Sequence, residues 1–335
     1  MIGLPLVQTI EDLSKATHIS KYSIYQLSKN SKYYYKTYTI PKKSGKPRII
    51  SQPNKNLKGL QSWILVNILN KLTVSSSCKG FEKGTSTADN ASPHVDANTV
   101  LTIDLKDFFT TVKQKQVFQI FKAIGYNNLI STVFANICTY QNYLPQGSPC
   151  SPKLANLSTW QLDVRIQGYV GKRGINYTRY ADDMSFSGLS PIKVVQIIPM
   201  IKKIVEDENF QINPSKTRIA GSSRAKIITG LVLSDGSFGI GKQKYKYVRA
   251  RIHHLILPQE QMNNKLLYEV SGWLSYLNSV DKKRLNQAVR YINKLAIKHP
   301  ATLITQLAVL QKKEEGANVM SIDNKENDLT SEISI

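Results

Sequence analysis

The chain has 335 residues, 41% of them apolar, which is enough for one large domain or two to three smaller units around a true core. No apolar run approaches the roughly 20 residues of a membrane-spanning helix, and the opening MIGLPLVQTIEDLSK lacks a basic-then-apolar signal order, so a soluble cytoplasmic protein is expected. The formal charge of +22 points to a polyanionic partner. Nucleic acid stands ahead of an anionic membrane, because no basic amphipathic helix carries Trp or Phe along one side.

The charge is uneven. Residues 314–335 carry six acids (Glu314, Glu315, Asp323, Glu326, Asp328, Glu332) against Lys325, a local −5 that leaves +27 on residues 1–313. That polar tail is expected to be disordered. Cys78, Cys138 and Cys150 form no CxxC pair, so neither a zinc knuckle nor a disulfide framework is indicated.

In chain order, KYYYKTYTIPKKSGKPRIISQP (32–53) alternates aromatic and β-branched residues with bases and turns at Ser44-Gly45, a hairpin with a basic tip. Leu57, Leu60, Ile64, Ile68 and Leu72 repeat at helical spacing. NTVLTIDL (98–105) is a strand ending near Asp104, and helices are predicted over 113–125 and 128–140. The loop LPQGSPCSPKLAN leads to a helix over 156–169. INYTRYADDMSFSG (175–188) reads as two strands with acids at their turn, followed by a helix over 192–207 and the segment Gln211 to Ile219. KIITGLVL and SFGIGK form a compact pair joined at Asp235-Gly236, and beyond residue 242 the chain is helical and basic to about His299. The order strand-helix-strand-strand-helix-strand is α+β, the way a polymerase palm is built.

Asp182 and Asp183 are adjacent, and successive side chains of a strand point to opposite faces. Only a tight turn brings both to one place. A lone Asp-Asp pair is most often a solvated turn. Set between apolar strands, two like charges cost several kcal/mol unless a metal compensates. Nucleotidyl transfer uses two divalent cations about 3.5 to 4 Å apart, and Asp104 on a neighbouring strand would supply a third carboxylate.

YADD at 180–183, LTIDLKDFF at 101–109, LPQGSPCSPKLAN at 144–156 and IPKKSGKPRII at 40–50 resemble, in order, the blocks of reverse transcriptases. The resemblance covers about residues 20 to 300. It implies a right-hand polymerase with fingers, an RRM-like palm (antiparallel sheet plus helices) and a helical thumb. It also implies that Asp104, Asp182, Asp183 and the backbone carbonyl of Leu105 bind two Mg2+ ions, with Mn2+ as the alternative, and that dNTPs are the substrates. Lys42, Lys46 and Arg48 match the fingertip that clasps the triphosphate, and Gln146 and Gly147 match the loop against the nascent base pair. Phe109 matches the bulky residue under the incoming sugar, with Phe108 or Phe109 also expected in the core. Lys216 in NPSKTRI matches a lysine near the leaving pyrophosphate, read as a catalytic proton donor.

Asn90, Ala91 and His94 match the NAxxH segment of bacterial retron reverse transcriptases, and Ile228-Thr229-Gly230 resembles that group's VTG triplet, with Ile for Val. A lone His there is more often structural than catalytic, and no chemistry is assigned to it. Membership implies a cognate non-coding RNA as template, priming from an internal 2′-hydroxyl, and a branched RNA-linked single-stranded DNA kept bound. It also implies a role in anti-phage defence with a separate effector protein. Lys242, Lys244, Lys246, Arg249, Arg251 and His254, with Tyr245 and Tyr247 among them, suit RNA binding by the thumb. The expected division is fingers and N-terminal region 1–98, palm 99–241 with finger-side helices 113–140, thumb 242–313 and tail 314–335. The alternatives are a group II intron-like or diversity-generating reverse transcriptase, an RNA-dependent RNA polymerase, or a catalytically silent RNA-binding scaffold.

Overall fold

The computed structural model describes residues 3–41, 45, 47–234, 236–257, 265–300 and 302–307. Lys42, Lys46, Ser44, Asp235 and the acidic tail lie outside the described residues. The chain divides into two compact units, Met1–Thr229 and Gly230–Ile335.

The first unit opens with α1 (Ile10–Thr17) and α2 (Lys21–Lys29), begun by Thr9 and Ser20, whose hydroxyls accept otherwise orphaned amides. β1 (Tyr35–Pro41) and β2 (Pro47–Pro53) pair antiparallel, with Tyr35 opposite Pro53 and Pro41 opposite Pro47. This is the hairpin the alternation predicts. α3 (Lys55–Asn67) follows, capped by Asn54, with Leu57, Leu60 and Ile64 fully buried. The apolar repeat that extends to Leu72 finishes in a 3-10 turn.

After the short α4 (Thr87–Ala91) comes β3 (Thr99–Asp104), then α5 (Phe108–Thr111), α6 (Gln114–Ala123) and α7 (Asn128–Cys138). α8 (Ser151–Ser158) and α9 (Trp160–Gly171) stand where one helix over 156–169 is predicted. They part at Thr159, whose hydroxyl turns back onto the carbonyls of Ala155 and Asn156. β4 (Asn176–Tyr180) and β5 (Asp183–Gly188) follow. The predicted helix over 192–207 is likewise two, α10 (Pro191–Gln196) and α11 (Ile198–Asp207). Pro199 has no amide hydrogen with which to continue the ladder. β6 (Arg218–Ala220) and β7 (Ile227–Ile228) complete the unit.

The central sheet runs β4-β5-β3-β6, every pair antiparallel. Counted by its own strands this is 2-3-1-4, the order of a βαββαβ unit. β3 and β5 are buried almost throughout, with Leu101, Ile103, Met184 and Phe186 in the main core. Burial of this kind contributes about 1.5–3 kcal/mol per large apolar side chain. It fixes the register that sets Asp104 opposite Asp183.

In the second unit, β8 (Leu231–Ser234) pairs with β9 (Ser237–Gly239), and α12 (Gly241–His254), α13 (Lys265–Val280) and α14 (Lys282–Lys298) pack on Val248, Ile252, Val270, Leu274 and Ile292. Asp281 caps α14 through the Arg284 amide and accepts the Ile240 amide with its other oxygen. A Cβ on Gly239 would collide with that oxygen, so any side chain there would have to push the Asp281 carboxylate off the Ile240 amide. The sequence placed the boundary at 241/242, whereas the units divide after Thr229, and the β8–β9 hairpin belongs with the helices. Alternation identifies a hairpin but not the body it packs against.

Candidate active site

β4 and β5 are joined through Ala181 and Asp182, and Ala181 takes a left-handed φ of 58°. This is the tight turn the two acids need. Register places Asp183 across from Asp104, and the Leu105 amide donates to the Asp182 carbonyl at 2.9 Å.

The buried Asp104 carboxylate is held from a third segment. Lys216 Nζ lies 2.7 Å from its Oδ2, and Asn213 Nδ2 donates to its Oδ1 at 3.3 Å. Asn213 is a residue the sequence did not single out, although it opens the NPSK turn that delivers Lys216. The bond to Asp104 raises the pKa of Lys216, keeping it charged. Burial, then the charge of Asp104, pushes the Asp182 carboxyl up, with Lys216 and Arg48 opposing. Asp183 is pushed up to about 6 by desolvation and then by Asp182 and Asp104. Two carboxyls raised by burial first and by their neighbours' negative charge second mark a site that would favour added positive charge. An all-oxygen donor set of this kind suits hard divalent cations. Among the described residues, no three carboxylate, imidazole or thiol groups converge as a finished metal cage.

The turn is gripped from the core. Arg179, with no solvent exposure, donates from Nε and Nη2 to both oxygens of Asp163 at 2.8 and 2.7 Å. Its Nη1 donates to the carbonyl of Ala181 at 2.9 Å and to Asn156 Oδ1 at 3.2 Å. Burial works against the guanidinium, and the Asp163 carboxylate more than offsets it, so Arg179 stays charged. Tyr177 adds a hydrogen bond to Asp163. Asn156 also donates to Gly80 O and to Glu82, which pairs with Lys153. Residues 77–80 run beside β4, with the Arg179 amide donating to Ser77 O and the Lys79 amide to Arg179 O. A Cβ on Gly80 would lie 2.5 Å from the Ala181 nitrogen. Arg179, Asp163 and Gly80 were not legible as site residues, because their partners are distant in sequence.

Phe108 is core, 4% exposed, while Phe109 is only partly covered. The ring of Phe81, left-handed at φ 61°, lies 6.1 Å from Phe109 and 6.5 Å from Tyr180. The Gln146 carbonyl accepts the Ser51 amide of β2, and a Cβ on Gly147 (φ +124°) would meet Ser51 O at 2.8 Å. Close backbone approach at Gly147 is therefore to β2. Buried Gln61 ties this loop down by accepting the Ser148 hydroxyl and donating to Tyr35 Oη and Ile137 O.

Asn90, Ala91 and His94 are fully buried behind β4 and β5. His94 bonds Ser187 at 2.6 Å through Nδ1 and Thr178 at 2.8 Å through Nε2. Thr178 donates to Asn90 O, so it accepts from Nε2–H, which makes Nδ1 the acceptor for Ser187. Desolvation lowers the His94 pKa to about 4. Thr229 and Gly230 take consecutive left-handed conformations. In the second unit, Lys242, Lys246, Arg249 and His254 are exposed, and Lys244 Nζ donates to Gly230 O. Arg251 is engaged by Glu269 through two hydrogen bonds.

A split-βαβ sheet carrying three aspartates at one end is the palm of a right-hand polymerase. The family described as reverse transcriptase (RNA-dependent DNA polymerase) matches residues 40–248. Retron Ec86 reverse transcriptase of Escherichia coli is 45% identical over 89% of this chain and 92% of its own length. Retron Mx65 reverse transcriptase of Myxococcus xanthus is 30% identical over 86% of this chain and 72% of its own. A solved telomerase from Candida albicans is 13% identical with a TM-score of 0.47, covering 79% of this chain and 61% of that one. The chain belongs to the bacterial retron reverse transcriptases. It is an RNA-directed DNA polymerase that acts with divalent metal and has RNA as a partner. Among the described residues, no helix is long and apolar enough to cross a membrane.

Proposed function

We propose that Asp104, Asp182, Asp183 and the Leu105 carbonyl hold two Mg2+ ions, with Mn2+ as the alternative, for RNA-templated DNA synthesis from dNTPs. The convergence of Asp104 and Asp183 in register, with Asp182 at the turn between strands, carries this reading. Bound there, the cations would supply Lewis-acid charge to the attacking hydroxyl and the leaving pyrophosphate. Lys216 reaches Asp104 of this set and is suited to protonate the pyrophosphate. Arg48, whose charge is felt at Asp182, serves the triphosphate with Lys42 and Lys46. Phe109 lies under the sugar, and Gln146 and Gly147 against the new base pair.

The wider reading follows from the retron relatives. The template is a cognate non-coding RNA, primed from an internal 2′-hydroxyl, and the product is branched, RNA-linked single-stranded DNA retained by the enzyme in the cytoplasm. Exposed Lys242, Lys246, Arg249 and His254 on α12 support RNA binding by the second unit, the thumb. A separate effector would complete an anti-phage system. The test is to purify the protein from cells carrying its native locus. A DNA–RNA hybrid should copurify and should vanish in Asp182→Ala, and a wild-type preparation free of nucleic acid would refute the reading.

A further inference from the structure

The segment after Phe210 meets the Asp104 carboxylate with two donors, and it holds them in different ways. Residues 211–213 run antiparallel to residues 104–106, with Leu105 bridged to Ile212. The Lys106 amide donates to Gln211 O at 2.7 Å and the Asn213 amide to Asp104 O at 2.8 Å. Asn213 is thereby fixed through its backbone. Its side chain is oriented as well: Ser215 Oγ donates to Asn213 Oδ1 at 2.8 Å, which turns Nδ2 toward Asp104 Oδ1, 3.3 Å away.

Lys216 closes the 3-10 turn Pro214–Lys216 that follows. Its ammonium reaches the other oxygen, Asp104 Oδ2, at 2.7 Å, on a side chain 55% exposed, whereas the Asp104 side chain is 7% exposed. A hydrated head on a flexible four-carbon stem exchanges partners with little rearrangement. An amide clamped by its backbone does not.

We propose that Asn213 is a positioning residue that keeps the Asp104 carboxylate aimed while Lys216 and a divalent cation exchange on its Oδ2. Lys216 and the cation compete for the same negative charge, so each weakens the hold of the other. Asn213 is neutral and donates to the opposite oxygen, so it opposes neither occupant. Lys216, once released, stays tethered beside the site by its turn and is free to meet the pyrophosphate. The inference rests on the three aspartates being the metal site. It goes further in giving two residues of one turn opposite effects on metal affinity.

The test is Mn2+ binding to the full chain without nucleotide, followed by the electron paramagnetic resonance of the free ion. Lys216→Met should tighten binding by about fivefold or more, because a hydrogen-bonded competing charge is gone. Asn213→Ala should weaken it by about tenfold, the usual cost of losing a group that orients a metal ligand. Ser215→Ala, which leaves the Asn213 amide unoriented, should weaken it less. In wild type, Mg2+ should speed acylation of Lys216 by an amine-reactive reagent and leave that of Lys202 unchanged. Unchanged affinity in Lys216→Met, a shift of the same sign in Lys216→Met and Asn213→Ala, or acylation of Lys216 indifferent to Mg2+ would each overturn the proposal. Wild-type affinity in Ser215→Ala would do so even where Asn213→Ala failed to fold. Wild-type Mn2+ affinity in Asp104→Asn would instead refute the metal site itself, and this inference with it.

Discussion

Arg179 reaches from inside the core to the carbonyl oxygen of Ala181, 2.9 Å from its Nη1, while its other donors close on both oxygens of Asp163. Ala181 is left-handed, a conformation that costs a residue with a Cβ roughly 1–2 kcal/mol. Such backbone persists where its surroundings over-determine it. The turn that carries Asp182 is thus shaped by a buried ion pair and not by its own sequence alone.

Removing one partner of that pair strands the other charge. Arg179→Met should destabilise the protein by about 3–5 kcal/mol, and Arg179→Met/Asp163→Leu should recover most of the loss. Recovered Tm with single-turnover extension still at least about tenfold slow is the expected result. A stable double variant with wild-type rate would show that the contact does not position the acids.

Gly80 tests the same turn from its other side. Gly80→Ala puts a methyl 2.5 Å from the Ala181 nitrogen, so backbone must shift. Overpacking of this kind costs about 1–3 kcal/mol. Extension should fall well beyond what that stability loss explains, whereas Gly59→Ala, in the interior of α3 with nothing within 4 Å of the added carbon, should leave the rate alone and raise stability by about 0.5–1 kcal/mol.

Phe109→Val should admit ribonucleotides, lowering the ratio of kcat/KM for dNTP over rNTP by about tenfold or more. Phe81 packs against that ring, so Phe81→Ala should erode the same ratio less. Unchanged discrimination in both variants would remove Phe109 from the sugar site.

His94 gives a pH signature. Its folded pKa of about 4 lies below its ordinary value of 6.5, so the native state disfavours the proton. Stability from this group is complete above pH 6.5 and is lost as pH falls toward 4, by up to about 3 kcal/mol. Denaturant titrations should show that slope in wild type and its loss in His94→Gln. Parallel curves would contradict the assignment.

The acids were legible because they are local: two adjacent carboxylates between alternating strands announce a turn, and NTVLTIDL announces its neighbour. The succession strand-helix-strand-strand-helix-strand was legible in the same way, whereas the strand order within the sheet came from the fold. What holds these parts was not legible. Asp163 reads as an ordinary polar residue of α9, and only the fold sets its carboxylate against Arg179. Pro199 carried the break between α10 and α11 in plain view, yet the apolar period on either side masked it. Asn90, Ala91 and His94 were visible as a pattern, and their common reason, burial behind β4 and β5, needed the tertiary structure.

β3 sits between β5 and β6, yet β5 begins only at Asp183 and β6 at Arg218. On the ribosome, the strand bearing Asp104 emerges long before either neighbour exists, with Leu101 and Ile103 still lacking their sheet partners. Unpaired apolar strands of this kind invite aggregation and chaperone attention. The same order keeps a half-made chain silent. Copying of RNA can begin only after most of the polypeptide has been translated, so a prematurely terminated product would be inert as a polymerase.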